Sequence, residues 1–289
     1  MSRPQFELAD VLRLYSSAFL DAFEGAVPSA QCRVLNALSA CRTSALGGHL
    51  YRCDSCDVRV PVYNSCLNRH CPKCQASASR KWLEARSAAL LPVEYFHVVF
   101  TLPEELRPVV YQNKKVCYKL LFDVTAQTLQ ELAADPKRLG GQVGFLSILH
   151  TWAQNLLFHP HIHCVVPGGV IAPDRSRWIS CRRGYLLPVP VMRKLYRGKF
   201  LALLQQRFDE GNLKFRGTSS GLADASTFKG FLGLLRNKEW VVYAKKPFGG
   251  PEQVLKYLAR YTHRVAISNH RLVSIDNGKV TFKARDYAL

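Results

Sequence analysis

The sequence is short of acidic residues and of long apolar runs. Its 289 residues include 21 Asp and Glu against 40 Lys and Arg, so the formal net charge is +19 at pH 7. This excess excludes a predominantly acidic surface and indicates a polyanionic partner, with nucleic acid as the first candidate. No segment approaches the ~18 apolar residues of a membrane span, so we expect no membrane partner. The N-terminal stretch lacks the basic and then apolar pattern of a signal peptide, so we expect no export.

The chain does contain enough apolar material for a core, because 48% of its residues are hydrophobic. Apolar residues recur at three- and four-residue steps over residues 5–45, which predicts helical structure. Runs rich in β-branched and aromatic residues predict strands at 94–102, 144–152 and 161–166. A further helix is predicted at 254–263, so the chain combines helices and strands.

Six of the ten cysteines lie within residues 41–74, and without an export signal this clustering favours metal binding over disulfides. Cys53 and Cys56 form one Cys-x2-Cys pair, Cys71 and Cys74 form a second, and fourteen residues separate the pairs. Two pairs at this spacing are typical of a four-thiolate zinc site, because each pair can turn both sulfurs onto one ion. We predict that these four cysteines hold a structural zinc ion with no open position for chemistry.

Other potential zinc ligands stand in the same stretch, namely Cys41, His49, Cys66 and His70. They could form a second zinc site, supply alternate ligands to the first, or pack around it. The pattern favours the packing role and leaves the second zinc open.

A separate candidate metal site is the segment His161-Ile162-His163 in an apolar run. Because side chains alternate along a strand, both imidazoles share one face, ~7 Å apart, while Ile162 points into the core. The pair can bind one divalent cation if a further polar ligand joins it. Taken alone, two hydrogen-bonded core histidines are the more common explanation of such a pair. His97 and His150, on other predicted strands, are given no role.

The predicted helix at 254–263 places Tyr257 and Tyr261 one turn apart on the same face. An aromatic pair packed on a core is the simpler explanation of this spacing. The alternative is a tandem of nucleophiles, since a phenol can attack a phosphodiester and keep the DNA end as a covalent ester. A cation held by His161 and His163 would then polarise the scissile phosphate.

Three segments resemble, in the right order, the two-tyrosine HUH transposases of rolling-circle insertion sequences, the group related to the ISCR elements. Residues 41–75 are similar to the zinc-binding domain of that family, residues 149–169 to the segment with its histidine-hydrophobic-histidine motif, and residues 257–268 to its two-tyrosine helix. The similarity extends over roughly residues 5–289. Both tyrosines are present, which separates the chain from single-tyrosine relatives.

The resemblance implies an α+β fold in two domains. A helical zinc-binding domain that contacts DNA is expected at 1–90, and an HUH-type catalytic domain, an antiparallel sheet flanked by helices, at 91–289. The implied activity is transposition by cleavage and rejoining of single-stranded DNA at transposon ends and target sites. We expect such a protein in the bacterial cytoplasm, associated with the nucleoid.

The resemblance also implies roles for individual residues. His161 and His163 would hold Mg²⁺ or Mn²⁺, and Tyr257 and Tyr261 would form 5′-phosphotyrosine links that leave a free 3′-OH.

Gln253, one turn before Tyr257 on the same helix face, is predicted as the third ligand of the cation, with Gln154 and His263 as rivals. The family usually continues beyond the point where this chain stops, so we expect part of the C-terminal end to be missing.

Several basic residues are expected to contact DNA: Arg69, Lys73, Arg182, Arg183, Lys256 and Arg260. Four aromatic residues are available for base stacking, although core packing is the more common role of such residues: Trp152, Trp178, Tyr185 and Tyr196. The alternative function is a truncated, catalytically inactive DNA-binding protein that depends on zinc. Such a protein would bind DNA in a salt-sensitive way but form no covalent adduct.

Overall fold

The computed structural model describes residues 4–246, 250–259 and 265–284. The chain divides into two compact units. The first contains residues 1–84, 154–156 and 259–289, and the second contains residues 85–153 and 157–258. Within the described ranges, every helix is too short or too polar to span a membrane.

The N-terminal part of the first unit consists of helices and one hairpin: α1 (Leu8–Ala22), α2 (Ser29–Ser39), β1 (Gly48–Arg52), β2 (Arg59–Tyr63) and α3 (Gln75–Ala88), which continues past this unit. α1 and α2 thus confirm the helical prediction for residues 5–45. The small core of this unit includes Leu38, Cys41 and Cys71, while both strands of the β1–β2 hairpin are exposed throughout. Small domains with so little core are commonly stabilised by a bound metal.

The second unit contains the remaining helices and most of the strands: β3 (Tyr95–Thr101), α4 (Arg107–Gln112), α5 (Lys114–Ala134), β4 (Leu146–Trp152), β5 (Phe158–Pro167), β6 (Gly169–Ile171), β7 (Trp178–Ser180), α6 (Val189–Asp209), α7 (Ala225–Asn237), β8 (Val242–Lys245) and α8 (Pro251–Ala259). Four strands form one sheet in the order β4-β5-β3-β8, with every neighbouring pair antiparallel. The α+β class and the antiparallel sheet are therefore confirmed.

The two faces of this sheet differ because side chains alternate along each strand. Phe96 and Phe100 of β3 and Ile162 of β5 belong to the hydrophobic core, which buried residues of α5 and α6 complete. The intervening residues of β5, among them His161 and His163, belong to the opposite face. One strand therefore supplies both the centre of the core and a row of imidazoles.

Helix α7 was not predicted from the sequence, although its signals are present. The Asp224 carboxylate caps the helix by accepting from the Thr227 backbone N–H at 2.8 Å. Phe228, Leu232 and Leu235 follow at three- and four-residue steps and are buried. The helix then ends beside Trp240, a fully buried residue of the core whose Nε1 donates to the backbone oxygen of Leu235 at 2.9 Å.

A C-terminal hairpin, β9 (Leu272–Asp276) with β10 (Lys279–Phe282), belongs to the first unit. Asn277 and Gly278 both have positive φ, 47° and 75°, as a tight hairpin turn with this dipeptide requires. Just before the hairpin, the Asn269 Oδ1 accepts from the backbone N–H of Leu8 at 3.0 Å. Long-range contacts of this kind group the described residues 265–284 with the N-terminal helices, whereas the predicted domains divide the chain once, between residues 90 and 91.

Core packing of the second unit gives a prediction for stability. Leu204 of α6 is fully buried, and its replacement by Ala should lower the free energy of unfolding by about 2–5 kcal/mol because a cavity remains. Leu234 of α7 is 69% exposed, so Leu234→Ala should change it by less than about 0.5 kcal/mol. Urea denaturation followed by tryptophan fluorescence measures both. Equal effects of the two substitutions would contradict this placement of α6 and α7.

Candidate metal and tyrosine site

Three histidines converge on the face of the sheet that is turned away from the core. β5 supplies His161 and His163, and β4 places His150 directly opposite His161 in the antiparallel register. All three side chains are buried, and each offers a ring nitrogen within 4.8 Å of the other two. This histidine cluster contains both predicted ligands and adds His150, which sequence reasoning left without a role.

Hydrogen bonds orient the imidazoles of the cluster. His161 Nδ1–H donates to the backbone oxygen of His159 at 2.6 Å, so His161 Nε2 keeps its lone pair. His150 Nδ1 lies 3.1 Å from that nitrogen. His163 Nδ1 lies 2.8 Å from His97 Nε2, and His163 Nε2 is buried without a hydrogen-bond partner among the described residues. Because buried polar atoms normally have partners, a bound ion would supply the partner that this nitrogen lacks among the described residues.

Burial also keeps the cluster uncharged. It lowers the pKa of His150 to about 3 and that of His161 to about 4, and neighbouring histidines add to the effect. The pKa of His163 lies well below its ordinary value for the same reasons. Neutral imidazoles are the form that binds metal ions, so at pH 7 the three histidines fit a divalent transition metal.

Tyr257 lies beside the cluster. It stands on α8 and is half-buried, and its ring centroid is 5.9 Å from that of His163 at an interplanar angle of 73°. Gln253, one turn earlier on the same helix, is exposed, and its role as a metal ligand stays a prediction. Tyr261 and His263 lie outside the described residues.

The first unit holds a second potential metal site, formed by Cys41, Cys66, Cys71 and Cys74. Cys74 Sγ lies 3.5 Å from Cys41 Sγ and 3.6 Å from Cys66 Sγ, and the Cys41 and Cys71 sulfurs are 3.6 Å apart. Four sulfurs bound tetrahedrally to zinc at ≈ 2.3 Å stand about 3.8 Å from one another, so this cysteine cluster fits zinc.

The cysteine cluster differs from the predicted zinc site in two of its four members. It contains Cys71 and Cys74 as predicted, but Cys41 and Cys66 take the places expected for Cys53 and Cys56. The latter two are exposed in the turn between β1 and β2. The reason is geometric. Cys53 and Cys56 lie in the exposed turn of the β1–β2 hairpin, whereas the chain that follows β2 places Cys66 next to Cys74.

Burial affects the thiols of the cysteine cluster. It raises the pKa of Cys71 to about 11 and also raises that of Cys66, so without a metal these two thiols are neutral at pH 7. Zinc binding would release their protons, which makes the site sensitive to acid. Of the other candidates for a second zinc, His49 is exposed on β1 and His70 is half-buried.

The residues expected to contact DNA are mostly exposed. Four of them project into solvent: Arg69, Arg182, Arg183 and Lys256. Lys73 is half-buried and forms an ion pair with Glu7, and Arg260 lies outside the described residues. Arg182 lines a cleft of about 360 Å³ together with Lys137, Arg138 and Tyr185.

The aromatic residues considered for base stacking differ in their exposure to solvent. Tyr185 is 50% exposed at the cleft, while Trp152 and Trp178 are half-buried. Tyr196 is fully buried against Phe100 and Trp240, so it is a core residue and is excluded as a stacking surface.

Two family models match the chain. The model described as "Putative transposase" matches residues 144–288, which contain the histidine cluster and α8, and the model described as "Transposase zinc-binding domain" matches residues 11–102. The chain is 52% identical over 287 residues to "Putative transposase y4qJ" of Sinorhizobium fredii, covering 99% of this chain and 72% of that protein. The chain belongs to the IS91-type transposase family. The family resemblance inferred from the sequence is thereby confirmed.

A more distant relative is the "Transposase for insertion sequence element IS801" of Pseudomonas savastanoi pv. phaseolicola. It is 27% identical over 270 residues, which are 88% of this chain and 60% of the relative. Among solved structures, the metal-bound conjugative relaxase TrwC in complex with oriT DNA matches 58% of this chain and 70% of its own, with a TM-score of 0.32 and 14% identity. The metal-free complex matches with a TM-score of 0.31 and 13% identity. Similarity at this level does not establish a shared fold.

The zinc content of cysteine variants tests the observed ligand set. Cys41→Ser should lose zinc, because it removes one of the four converging sulfurs. Cys32→Ser is the matched control, since Cys32 lies on α2 and its thiol faces the backbone oxygen of Val27. Atomic absorption gives the zinc content per chain. Full zinc retention by Cys41→Ser would contradict the site.

Cys53→Ser separates the predicted set from the observed one. It should leave the zinc of the cysteine cluster in place, because Cys53 is not one of its members. Loss of zinc in Cys53→Ser would show that Cys53 is a ligand, as the sequence predicts, and would contradict the ligand set of the cysteine cluster.

The histidine cluster should make the metal-free protein sensitive to mild acid. Its lowered pKa values mean that the unfolded chain binds more protons between pH 6.5 and about 4, so stability falls as pH decreases through that range. Thermal melts in EDTA should show this decline, and His150→Gln should make it shallower. His270→Gln, at an exposed position, is the control and should leave the slope unchanged. An unchanged slope in His150→Gln would contradict the buried cluster.

Proposed function

We propose that this transposase cleaves single-stranded DNA and transfers the strand through 5′-phosphotyrosine intermediates, as rolling-circle transposition requires. One observation carries the proposal, namely that the Tyr257 ring lies next to a buried cluster of three neutral histidines. A phenol beside a potential cation site combines a nucleophile with charge stabilisation at one place. The family membership supplies the biological setting in which both are needed.

In the cleavage step the Tyr257 Oη attacks a backbone phosphorus atom. The new O–P bond forms as the bond from phosphorus to the 3′ oxygen breaks, the phenol proton is lost, and the 3′ oxygen leaves as a hydroxyl after gaining a proton. The product is a 5′-phosphotyrosine ester and a free 3′-OH. Attack by another 3′-OH on this ester rejoins DNA and restores the phenol, so the cycle consumes no high-energy cofactor. Tyr261 would serve as the second nucleophile in the same way.

His150, His161 and His163 would hold the divalent cation of this reaction. Such an ion, when bound, polarises the scissile phosphate and stabilises the charge that develops on its oxygens. The donor set consists of imidazole nitrogens, which suit transition metals, whereas Mg²⁺ prefers oxygen ligands. Of the two ions predicted from the sequence, we therefore propose Mn²⁺ over Mg²⁺. The cysteine cluster would hold zinc in a purely structural role.

The substrate strand would contact the cleft lined by Arg182, Lys137 and Tyr185. The two basic side chains are exposed and suit phosphates, and the exposed phenol ring offers a face on which a base can stack. Exposed Arg69, Arg183 and Lys256 are further phosphate contacts in this proposal, together with Lys73 and Arg260 from the sequence.

A covalent-adduct assay tests the proposed chemistry. Labelled single-stranded oligonucleotides with the candidate element ends are incubated with the protein and Mn²⁺ or EDTA, and then run on a denaturing gel. We expect an adduct that needs Mn²⁺ and disappears in His161→Ala and in the Tyr257→Phe/Tyr261→Phe double variant.

The matched control is Tyr243→Phe. Tyr243 lies on the same sheet face, with its ring edge-on to His97, and it should be dispensable for adduct formation. A persistent adduct in the double variant would show that the nucleophiles are assigned wrongly. DNA binding on a native gel without any adduct would instead favour the inactive DNA-binding protein.

A further inference from the structure

We propose that His97 is a positioning residue for the cation, which it serves by holding His163 in the tautomer and orientation that present Nε2 to the metal. The inference rests on the proposed function, since it assumes that the histidine cluster binds a divalent ion. His97 itself is not one of the three converging ligands.

The contact between the two rings is close and well aligned. His97 Nε2 lies 2.8 Å from His163 Nδ1, and the two ring planes differ by only 11° with their centroids 5.0 Å apart, which is the geometry of an in-plane hydrogen bond between the two nitrogens. The sheet register explains the approach: His163 pairs with Val99 of β3, so His97 is its diagonal neighbour on the same face. β3 and β5 lie side by side at the centre of the sheet, which keeps this geometry fixed.

Only one direction of this hydrogen bond suits the surroundings. If His163 Nδ1–H donates to His97 Nε2, His163 Nε2 keeps a lone pair for an ion. In the opposite tautomer the proton would sit on His163 Nε2, which is buried and has no acceptor among the described residues. An unsatisfied buried donor is costly, so the first arrangement is favoured.

Different kinds of acceptor thus orient His161 and His163. His161 donates to the backbone oxygen of His159, an acceptor that no side-chain substitution removes. His163 depends on the side chain of His97 from a neighbouring strand. Groups that accept from a metal-bound imidazole typically change metal affinity by 10–100-fold when they are removed. His97 should therefore act on metal binding and leave the nucleophile in place.

The experiment measures Mn²⁺ binding to the full chain by electron paramagnetic resonance of the free ion, with His161→Ala defining binding outside the site. His97→Leu, which keeps bulk but removes the acceptor, should raise the Kd for Mn²⁺ by about 10–100-fold. His97→Gln should stay within about threefold of wild type, because its Oε1 can occupy the position of Nε2 and accept the same hydrogen bond. Adduct formation by His97→Leu should recover at saturating Mn²⁺.

Two further variants serve as a second loss-of-acceptor variant and as a control. His97→Asn places its amide oxygen one bond short of the Nε2 position, so it should resemble His97→Leu even if the latter fails to fold. Tyr243→Phe alters the neighbour of His97 and should bind Mn²⁺ as wild type does. Equal Kd values for wild type, His97→Leu and His97→Asn would overturn the inference, as would equal weakening in His97→Gln and His97→Asn.

Failure of the proposed function is distinguishable from failure of this inference. Mn²⁺ binding is measured without DNA, so wild-type protein that binds Mn²⁺ but forms no adduct would refute the cleavage chemistry alone. Wild-type protein with no more Mn²⁺ bound than His161→Ala would refute the metal site and the role of His97 together.

Discussion

Side chains alternate along β5, and this alternation lets one strand serve the core and the candidate site of the second unit at once. Ile162 is fully buried in the core, while its neighbours His161 and His163 face the other way into the cluster with His150. Because β5 lies between β3 and β4, the backbone that carries the imidazoles is held by ladder hydrogen bonds on both sides. A register shift of one residue would move the histidines into the core and disrupt both.

The described residues contain two potential metal sites with different ligands, one made of thiols and one made of imidazoles. The cysteine cluster contributes four sulfurs and fits zinc, which would leave no position for a substrate. The histidine cluster offers three neutral nitrogens, and a divalent ion held by them would keep coordination positions for the phosphate oxygen and water of the proposed reaction. The cysteine cluster suits the stabilisation of a unit with a small core, and the histidine cluster suits the proposed catalysis next to Tyr257. This division agrees with the two family models that match the two parts of the chain.

Local patterns were sufficient to predict much of this structure. The central strands were predicted close to their observed bounds, and the spacing of His161 and His163 correctly placed both on one face of a strand. Membership of the cysteine cluster was only half predictable, because Cys41 meets Cys71 and Cys74 through folding of the chain and not through a short spacing.

The remaining site residues depended on register. His150 joins the cluster only because β4 pairs with β5, and His97 reaches His163 only because β3 lies on the other side. Nothing in the residues next to either histidine signals these partners. Local sequence could thus suggest the potential ligands that one strand provides, but not the histidines that neighbouring strands place beside them.

The most direct measurement is the identification of the residue that carries the DNA. After reaction with Mn²⁺ and a single-stranded oligonucleotide, the adduct is digested with nuclease and trypsin and sequenced by tandem mass spectrometry. Cleavage after Lys256 and Arg260 separates Tyr257 from Tyr261 on different peptides. We expect a phosphorylated nucleotide on the peptide 257–260. Attachment to a residue outside the two tyrosines would contradict the assignment of α8 as the catalytic helix.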